Sequence, residues 1–335
     1  MSKEHNSSGS DHSISVAPML DWTDRHCRYF YRLMSQRAVL YTEMVTTGAL
    51  RFGKHDFLAY NEQEHPLVLQ LGGSDAEAMA WSAEQAQERG YDEVNINVGC
   101  PSDRVKNGSF GACLLAQPET VAACVKAMSA AVDIPVTVKT RLGIDDLDND
   151  EHLHHFIDSI ASAGCQHVIL HARKAWLQGL SPKQNRDIPP LQYERVYLAK
   201  QRFPELTISI NGGIKSLAEA RQHLAHVDGV MIGREFYQNP WLLAQVDAFI
   251  AGDDARQLDR ESVARAMIPY IQRHIEQGGR AWHVVRHMLG LFQQQPGGRR
   301  WRQFLSQQGP HLNDAEALIE GALQYRLPEH LSATL

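Results

Sequence analysis

The chain has 335 residues, a formal net charge of -6, 43% hydrophobic residues and 21% charged residues. That composition is ordinary for a globular enzyme, the length suits one barrel plus a small appendage, and the acidic balance argues against a general nucleic-acid binder with a basic surface. Five cysteines, an odd number without a CxxC pair, argue against a disulfide framework or a thiolate zinc site and point to a reducing, cytoplasmic setting.

Residues 1–12 are polar, lack the apolar segment of a signal peptide, and read as a disordered lead-in. Short apolar runs then recur at 14–19, 38–44, 67–71, 93–98, 135–140, 167–171, 207–210 and 229–232. They are rich in Val and Ile, as buried parallel strands are when both faces are covered. Helical spacing fills the intervals, for example at 75–89 and at 118–132, where Pro118 stands at the start. Eight such units predict an α/β fold, a (β/α)8 TIM barrel over residues 13–250; a doubly wound open sheet is the alternative. No stretch approaches the roughly 18 apolar residues of a membrane span.

After Asn239-Pro240 the strand-like runs stop. Residues 251–335 show helical periodicity alone and read as a C-terminal helical domain. Residues 271–302 hold six arginines (273, 280, 286, 299, 300 and 302) against one glutamate at 276. This is a local basic patch on an otherwise acidic chain.

TIM-barrel active sites sit at the C-terminal ends of the strands, and that rule selects candidate residues. Strand 1 ends at Pro18-Met19-Leu20, strand 3 at Gln70, strand 4 at Asn97-Val98-Gly99-Cys100-Pro101, and strand 5 at Lys139-Thr140-Arg141. Strand 6 ends at His171-Ala172-Arg173, strand 7 at Asn211-Gly212-Gly213, and strand 8 at Gly233-Arg234. A Gly-Gly pair alone is usually a turn. Two glycine-bearing loops after strands 7 and 8 match the place where barrels bind phosphate through backbone N–H groups. A lysine ending a buried strand needs either a paired acid, such as Glu43, or a bound ring or phosphate. Most buried cysteines are small hydrophobes, but Cys100 stands on a mouth loop. Thiols ordinarily titrate at about 8.5, so a cysteine there has a proton to give.

Lys183 and Arg186 fall in a long loop, 175–190, beside Trp176, and such loops cover or grip substrates. The run Gly298-Arg299-Arg300-Trp301-Arg302 combines cations with an aromatic, which suits phosphate contact and base stacking. His283 and His287 lack the glutamate of an HExxH site and read as exposed or RNA-facing; no metal is assigned to them or to His152, His154 and His155.

The segment from Asn97 to Pro101, continuing through Val105, Gly108, Gly111-Ala112 and Leu114-Leu115, resembles the signature of the tRNA-dihydrouridine synthases. So do Ala17-Pro18-Met19, Gln70, Lys139-Thr140-Arg141, His171-Ala172-Arg173, Asn211-Gly212-Gly213 and Gly233-Arg234. The loop from His171 to Arg186 and the tail around Gly298–Arg302 look like the A subfamily. The resemblance implies an FMN-binding barrel that reduces uridines 20 and 20a of the tRNA D-loop with NADPH. It implies Cys100 as the acid, and Pro18, Met19, Leu20, Gln70, Lys139, His171, Asn211, Gly212, Gly213, Gly233 and Arg234 as the flavin site. It implies tRNA contacts at Asn97, Lys183, Arg186, Arg299 and Arg302. The rival readings are an FMN barrel reducing a free small molecule and a non-catalytic RNA-binding barrel. No protein partner is legible.

Overall fold

The computed structural model describes residues 11–102, 110–252 and 257–327. Val105 and Gly108 of the motif lie outside them, as do positions 1–10 of the expected lead-in and 328–335 of the helical end.

Eight parallel strands close into a barrel in sequence order. They are β1 Ile14–Val16, β2 Val39–Thr46, β3 Leu67–Gly72, β4 Glu93–Val98, β5 Val136–Arg141, β6 His167–His171, β7 Thr207–Asn211 and β8 Gly229–Ile232. Closure comes from β8 against β1, with Ile14 opposite Val230 and Val16 opposite Ile232; this rules out the open sheet.

Two strand ends differ from expectation by two residues or more. β1 stops at Val16 rather than 19, because Pro18 has no N–H to continue a ladder after Ala17 bonds the Ile232 carbonyl at 2.8 Å. β2 runs on to Thr46 because its register against β3 shifts between Tyr41 and Met44, which carries the strand past the expected end.

The intervening helices start and stop on local signals. Asp75 caps Ala76–Arg89 by accepting from the Ala78 N–H at 2.8 Å, and Gly90 ends it in the left-handed region. Pro118 opens Pro118–Ala131, where its missing N–H costs nothing. The strand faces that meet these helices carry Leu69, Val94, Ile96, Val138, Leu170 and Ile210 and belong to one large core. The inward faces hold a separate small apolar cluster of Ala17, Val39, Tyr41, Val68, Ile169 and Met231.

After β8 the described residues are helical, including Arg260–Ala266, Ile268–Glu276, Gly298–Gln308 and Ala315–Arg326. Ile271, Val284, Trp301 and Leu318 join the large core, so the helical end packs continuously onto the barrel's outer layer.

Three expectations give way here. Trp301 is fully buried and its indole donates to the Met288 carbonyl at 2.9 Å, so no base can stack on it. His287 is buried rather than RNA-facing, held between Asp24 at 3.0 Å and the Tyr237 hydroxyl at 3.1 Å. His12, expected in the lead-in, reaches the base of the barrel and pairs with Glu93 at 3.0 Å. No helix among the described residues is long and apolar enough to cross a membrane.

Candidate active site

The C-terminal ends of the strands surround a cavity of about 1180 Å³, large enough for a cofactor and a second ring together. It is lined by Pro18, Met19 and Leu20 from the β1 loop, Gln70 from β3, Asn97 and Cys100 from β4 and its loop, Lys139 from β5 and His171 from β6. Asn211, Gly212 and Gly213 after β7, Gly233 and Arg234 after β8, and Arg186 from the long loop complete it among the predicted residues. Lys183, Arg299 and Arg302 do not line it; all three are exposed, the last two on helix Gly298–Gln308.

Cys100 is half-buried, and its Sγ lies 3.5 Å from the Ser102 hydroxyl. The loop that carries it is tied to Asn97, whose Oδ1 accepts from the backbone N–H of Gly99 at 3.1 Å and of Cys100 at 3.0 Å. Arg141 reaches over from β5 to donate to the Gly99 carbonyl at 3.0 Å. The other four cysteines are also unpaired; Cys27, Cys124 and Cys165 are buried.

Lys139 does not pair with Glu43. Its Nζ donates to Asn211 Oδ1 at 3.1 Å, and Asn211 in turn donates to the Met231 carbonyl at 2.8 Å. Glu43 accepts instead from the Asp21 N–H. Among the described residues no carboxylate lies within ion-pair distance of Lys139. Burial, then the neighbouring Arg141, pushes Lys139 down to about 7. Burial also drives His171 well below its usual value, with Arg141, Lys139, Arg173 and Arg234 adding to the effect. Arg141 is pushed down to about 10 by burial and by Arg186 and Arg173. This side of the cavity gathers basic groups that lower one another's basicity, a setting that favours an anion.

The glycine loops can supply backbone donors to that anion. Gly212 and Gly213 take φ values of +122° and +74°, which side chains rarely adopt. A Cβ at Gly212 would lie 2.9 Å from the His171 ring, and one at Gly213 would lie 2.6 Å from Leu191. Helix Leu217–Leu224 follows, capped by Ser216. Arg234 is turned toward Asp187, at 2.6 Å, so its guanidinium is shared with a carboxylate from the long loop.

Sequence reasoning passed over Asn185 and Asp187. Asn185 is fully buried and closes the long loop on itself, accepting from the Trp176 N–H at 2.8 Å and donating to the Trp176 carbonyl at 2.9 Å. Its carbonyl takes Arg141 at 2.9 Å. An asparagine in a loop gives no sign of this. Lys174, in the same loop, covers the Trp176 ring at 4.0 Å.

The residues fit a phosphorylated, planar cofactor such as FMN. Lys139 and Arg141, neither paired with a carboxylate among the described residues, line the cavity with two glycine loops, and Met19 and Pro18 add apolar surface beside the Gly233 loop. They also fit a proton donor, since Cys100 opens onto the same cavity.

Comparison with known proteins bears on what occupies the site. A family model for dihydrouridine synthase (Dus) matches residues 15–324. The chain is 61% identical over 311 residues to the tRNA-dihydrouridine(20/20a) synthase of Shewanella oneidensis, covering 93% of this chain and 92% of that one. It is 60% identical over 311 residues to the protein of that name from Vibrio cholerae, covering 92% and 95% of the two. Against the Escherichia coli K12 protein of that name it is 60% identical over 312 residues, covering 93% and 90%. Among solved structures, a 2-naphthoyl-CoA reductase complex superposes with a TM-score of 0.54 at 12% identity, covering 70% of this chain and 49% of that one. That last likeness speaks for the fold alone.

Proposed function

The chain belongs to the dihydrouridine synthase family, and from that premise we infer that it is an oxidoreductase that converts uridine to 5,6-dihydrouridine at positions 20 and 20a of the tRNA D-loop. The observation that carries the reading is the placement of Cys100 at the mouth of a cavity beside a cation cluster in which Lys139 has no carboxylate partner. We read residues 13–250 as the catalytic barrel and 251–335 as the tRNA-binding part, in a cytoplasmic enzyme; the free cysteines fit a reducing compartment.

Gly212, Gly213, Gly233 and Arg234 would hold the phosphate of FMN, and Lys139, His171 and Gln70 the ring and the polar chain between. Pro18, Met19 and Leu20 would pack against the ring. FMN held there would supply the hydride for C6 of the uracil, with NADPH as its reductant.

The protein's own part is to deliver the proton. As negative charge builds on C5, the Cys100 thiol gives its proton to that carbon; the thiolate left behind is reprotonated from solvent. Lys139 and Arg141 flank the thiol closely enough for their charges to be felt there, so the thiolate is formed beside positive charge. Asn97 holds the loop through two backbone N–H groups, which fixes where Sγ points. The uridine must leave its stack to enter the cavity, at a cost of a few kcal/mol that is smallest in an open loop. Lys183, Arg186, Arg299 and Arg302 would take the RNA backbone around it.

The test is incubation with NADPH and tRNA lacking dihydrouridine, followed by position-resolved mapping. Product at 20 and 20a, retained flavin in Cys100→Ala, and a loss of turnover of about 100-fold or more in that variant are expected. Normal turnover by Cys100→Ala would remove the acid assignment. A yellow, NADPH-reducible protein that leaves tRNA unchanged would remove the substrate.

A further inference from the structure

The inward faces of β3, β4 and β5 carry a line of side-chain hydrogen bonds, of which the mechanism above uses only the upper members, Gln70 and Asn97. Glu93, Asn95 and Asn97 alternate along β4 and so share its inner face. The register sets Asn95 beside Gln70 on one side and Thr137 on the other. Asn97 Nδ2 donates to Gln70 Oε1 at 2.8 Å, and Gln70 Nε2 donates to Asn95 Oδ1 at 2.9 Å. Asn95 Nδ2 donates to Thr137 Oγ1 at 2.9 Å, and the Thr137 hydroxyl donates to Glu93 Oε1 at 2.6 Å. All five side chains are buried.

The two ends of this line dictate its polarity. Burial alone would raise the Glu93 carboxyl, but His12, His167 and Thr137 hold it below its ordinary value. It is therefore ionised and can only accept. Thr137 has one proton, which goes to Glu93, so it meets Asn95 with a lone pair. Asn95 must then turn its NH2 to Thr137 and its oxygen to Gln70. Gln70 must turn its NH2 to Asn95 and its oxygen to Asn97, which leaves Asn97 Oδ1 facing the cysteine loop. At that upper end two backbone N–H groups, of Gly99 and Cys100, require an acceptor. Amide orientation is ordinarily ambiguous; here both ends demand the same one. Reversing any rung sets donor against donor in a buried place.

We propose that Thr137, with Glu93 beneath it, is a positioning residue for the reaction. Through Asn95 and Gln70 it fixes the amide of Asn97, and through Asn97 it fixes the loop that presents the Cys100 thiol. The proposal rests on the reading of Cys100 as the acid.

Thr137→Val and Thr137→Ser in the holoenzyme test it. Valine keeps the shape without donor or acceptor, and serine keeps the hydroxyl. Dihydrouridine formation in a single turnover of pre-reduced enzyme at saturating tRNA should fall about tenfold or more in Thr137→Val, with tRNA affinity near wild type and the thermal midpoint lowered by only a few degrees for the unpaired buried groups, because misplacement of a reacting group by about 1 Å can cost about 100-fold. Thr137→Ser should restore the rate. In parallel, Cys100 alkylation by iodoacetamide without tRNA, read by peptide mass, should accelerate in the valine variant and not in the serine variant. If Thr137→Val does not fold, Thr137→Ala removes the same hydroxyl and goes through both measurements. Equal behaviour of the valine and serine variants in both would overturn the proposal. A wild-type enzyme that makes no dihydrouridine would sink the functional reading, and the alkylation comparison would then decide alone whether the line holds the loop.

Discussion

Asp24 and Arg286 stand 262 positions apart in the chain and meet at 2.7 Å. The same carboxylate accepts from His287 at 3.0 Å and caps helix Arg25–Met34 through the N–H groups of His26 and Cys27. One side chain thus starts a barrel helix and binds the helical end of the chain to it.

This joint should register in stability. Burial by itself would raise the Asp24 carboxyl, but His287, by hydrogen bond and charge, holds it well below the usual carboxylate range. A carboxyl depressed in the folded state stabilises fully above its unfolded value near 4, and that contribution is lost as pH falls through the folded value. Asp24→Asn should lower the thermal midpoint at pH 7 by roughly 3 °C, the equivalent of about 2 kcal/mol in a chain of this size. Its disadvantage should shrink as pH is lowered below 4. Scanning calorimetry from pH 7 to pH 3 reads both effects; an equal deficit at every pH would mean that the charge is irrelevant.

The cation cluster predicts a pH slope for cofactor binding. Lys139, pushed down to about 7, is harder to charge in the fold than in the unfolded chain. Its protonation therefore costs stability in full below pH 7, and the cost disappears as pH rises from 7 toward 10. An anion bound beside it raises its pKa, so binding takes up a proton and weakens as pH rises through 7. His171, held well below its usual value, stays neutral in the free protein across this window. FMN affinity of cofactor-free protein should fall from pH 6 to pH 8, by fluorescence titration. Lys139→Met should bind FMN more weakly, lose most of that slope, and melt higher than wild type at pH 6 without cofactor. An unchanged slope in the variant would assign the proton elsewhere.

Gly213 and Gly179 form a matched pair. Their φ values are +74° and +80°, but a Cβ at Gly213 meets Leu191 at 2.6 Å and the Tyr193 hydroxyl at 3.0 Å, while nothing lies within 4 Å at Gly179. Both alanine variants carry the backbone strain, about 1 kcal/mol. Only Gly213→Ala should also shed flavin, because Tyr193 holds the Gly212 carbonyl at 2.8 Å and would be displaced. Flavin content per protein after gel filtration distinguishes them; equal retention would remove the loop from the cofactor site.

Arg299 and Arg302 are exposed, and Arg302 is already engaged by the Gln293 side chain. If they contact RNA phosphates, each alanine variant should reduce the slope of log affinity against log salt by about one unit. Binding titrations from 50 to 200 mM salt with flavin content monitored provide the check. A slope unchanged in both variants would take helix Gly298–Gln308 out of the RNA interface.

How far the sequence carried the fold and the site depended on whether a signal was local. Strands β4, β6 and β8 begin and end where their apolar runs do, since turn residues and a period of two are written into a few neighbouring positions. One architectural rule places 13 of the 17 candidate residues at strand ends, and those 13 line one cavity together with Arg186 from the long loop. What escaped was everything settled by partners far along the chain. His287 reads in the sequence as exposed or RNA-facing because its partner Asp24 is 263 positions away. Glu93, Asn95 and Thr137 were absorbed into apolar runs, although Glu-Val-Asn-Ile-Asn-Val is a strict alternation. The run was read as buried on both faces, which is right, but burial inside the barrel tolerates polar groups once they satisfy one another.

His12 has a consequence for how the chain can be cut. Its carbonyl lies 2.4 Å from where a Cβ on Gly229 would stand, and its imidazole is the ionic partner of Glu93. Strand β8 is thus notched at a glycine to admit a stopper, and the stopper's imidazole lies 3.0 Å from the carboxylate that anchors the whole inner line. Trimming the amino end past this point would leave a buried carboxylate without one hydrogen-bond partner, a defect of about 1–3 kcal/mol, at the opposite end of the barrel from the chemistry. Deletions and purification handles therefore belong upstream of Asp11, and residue 12 counts as part of the catalytic barrel's floor.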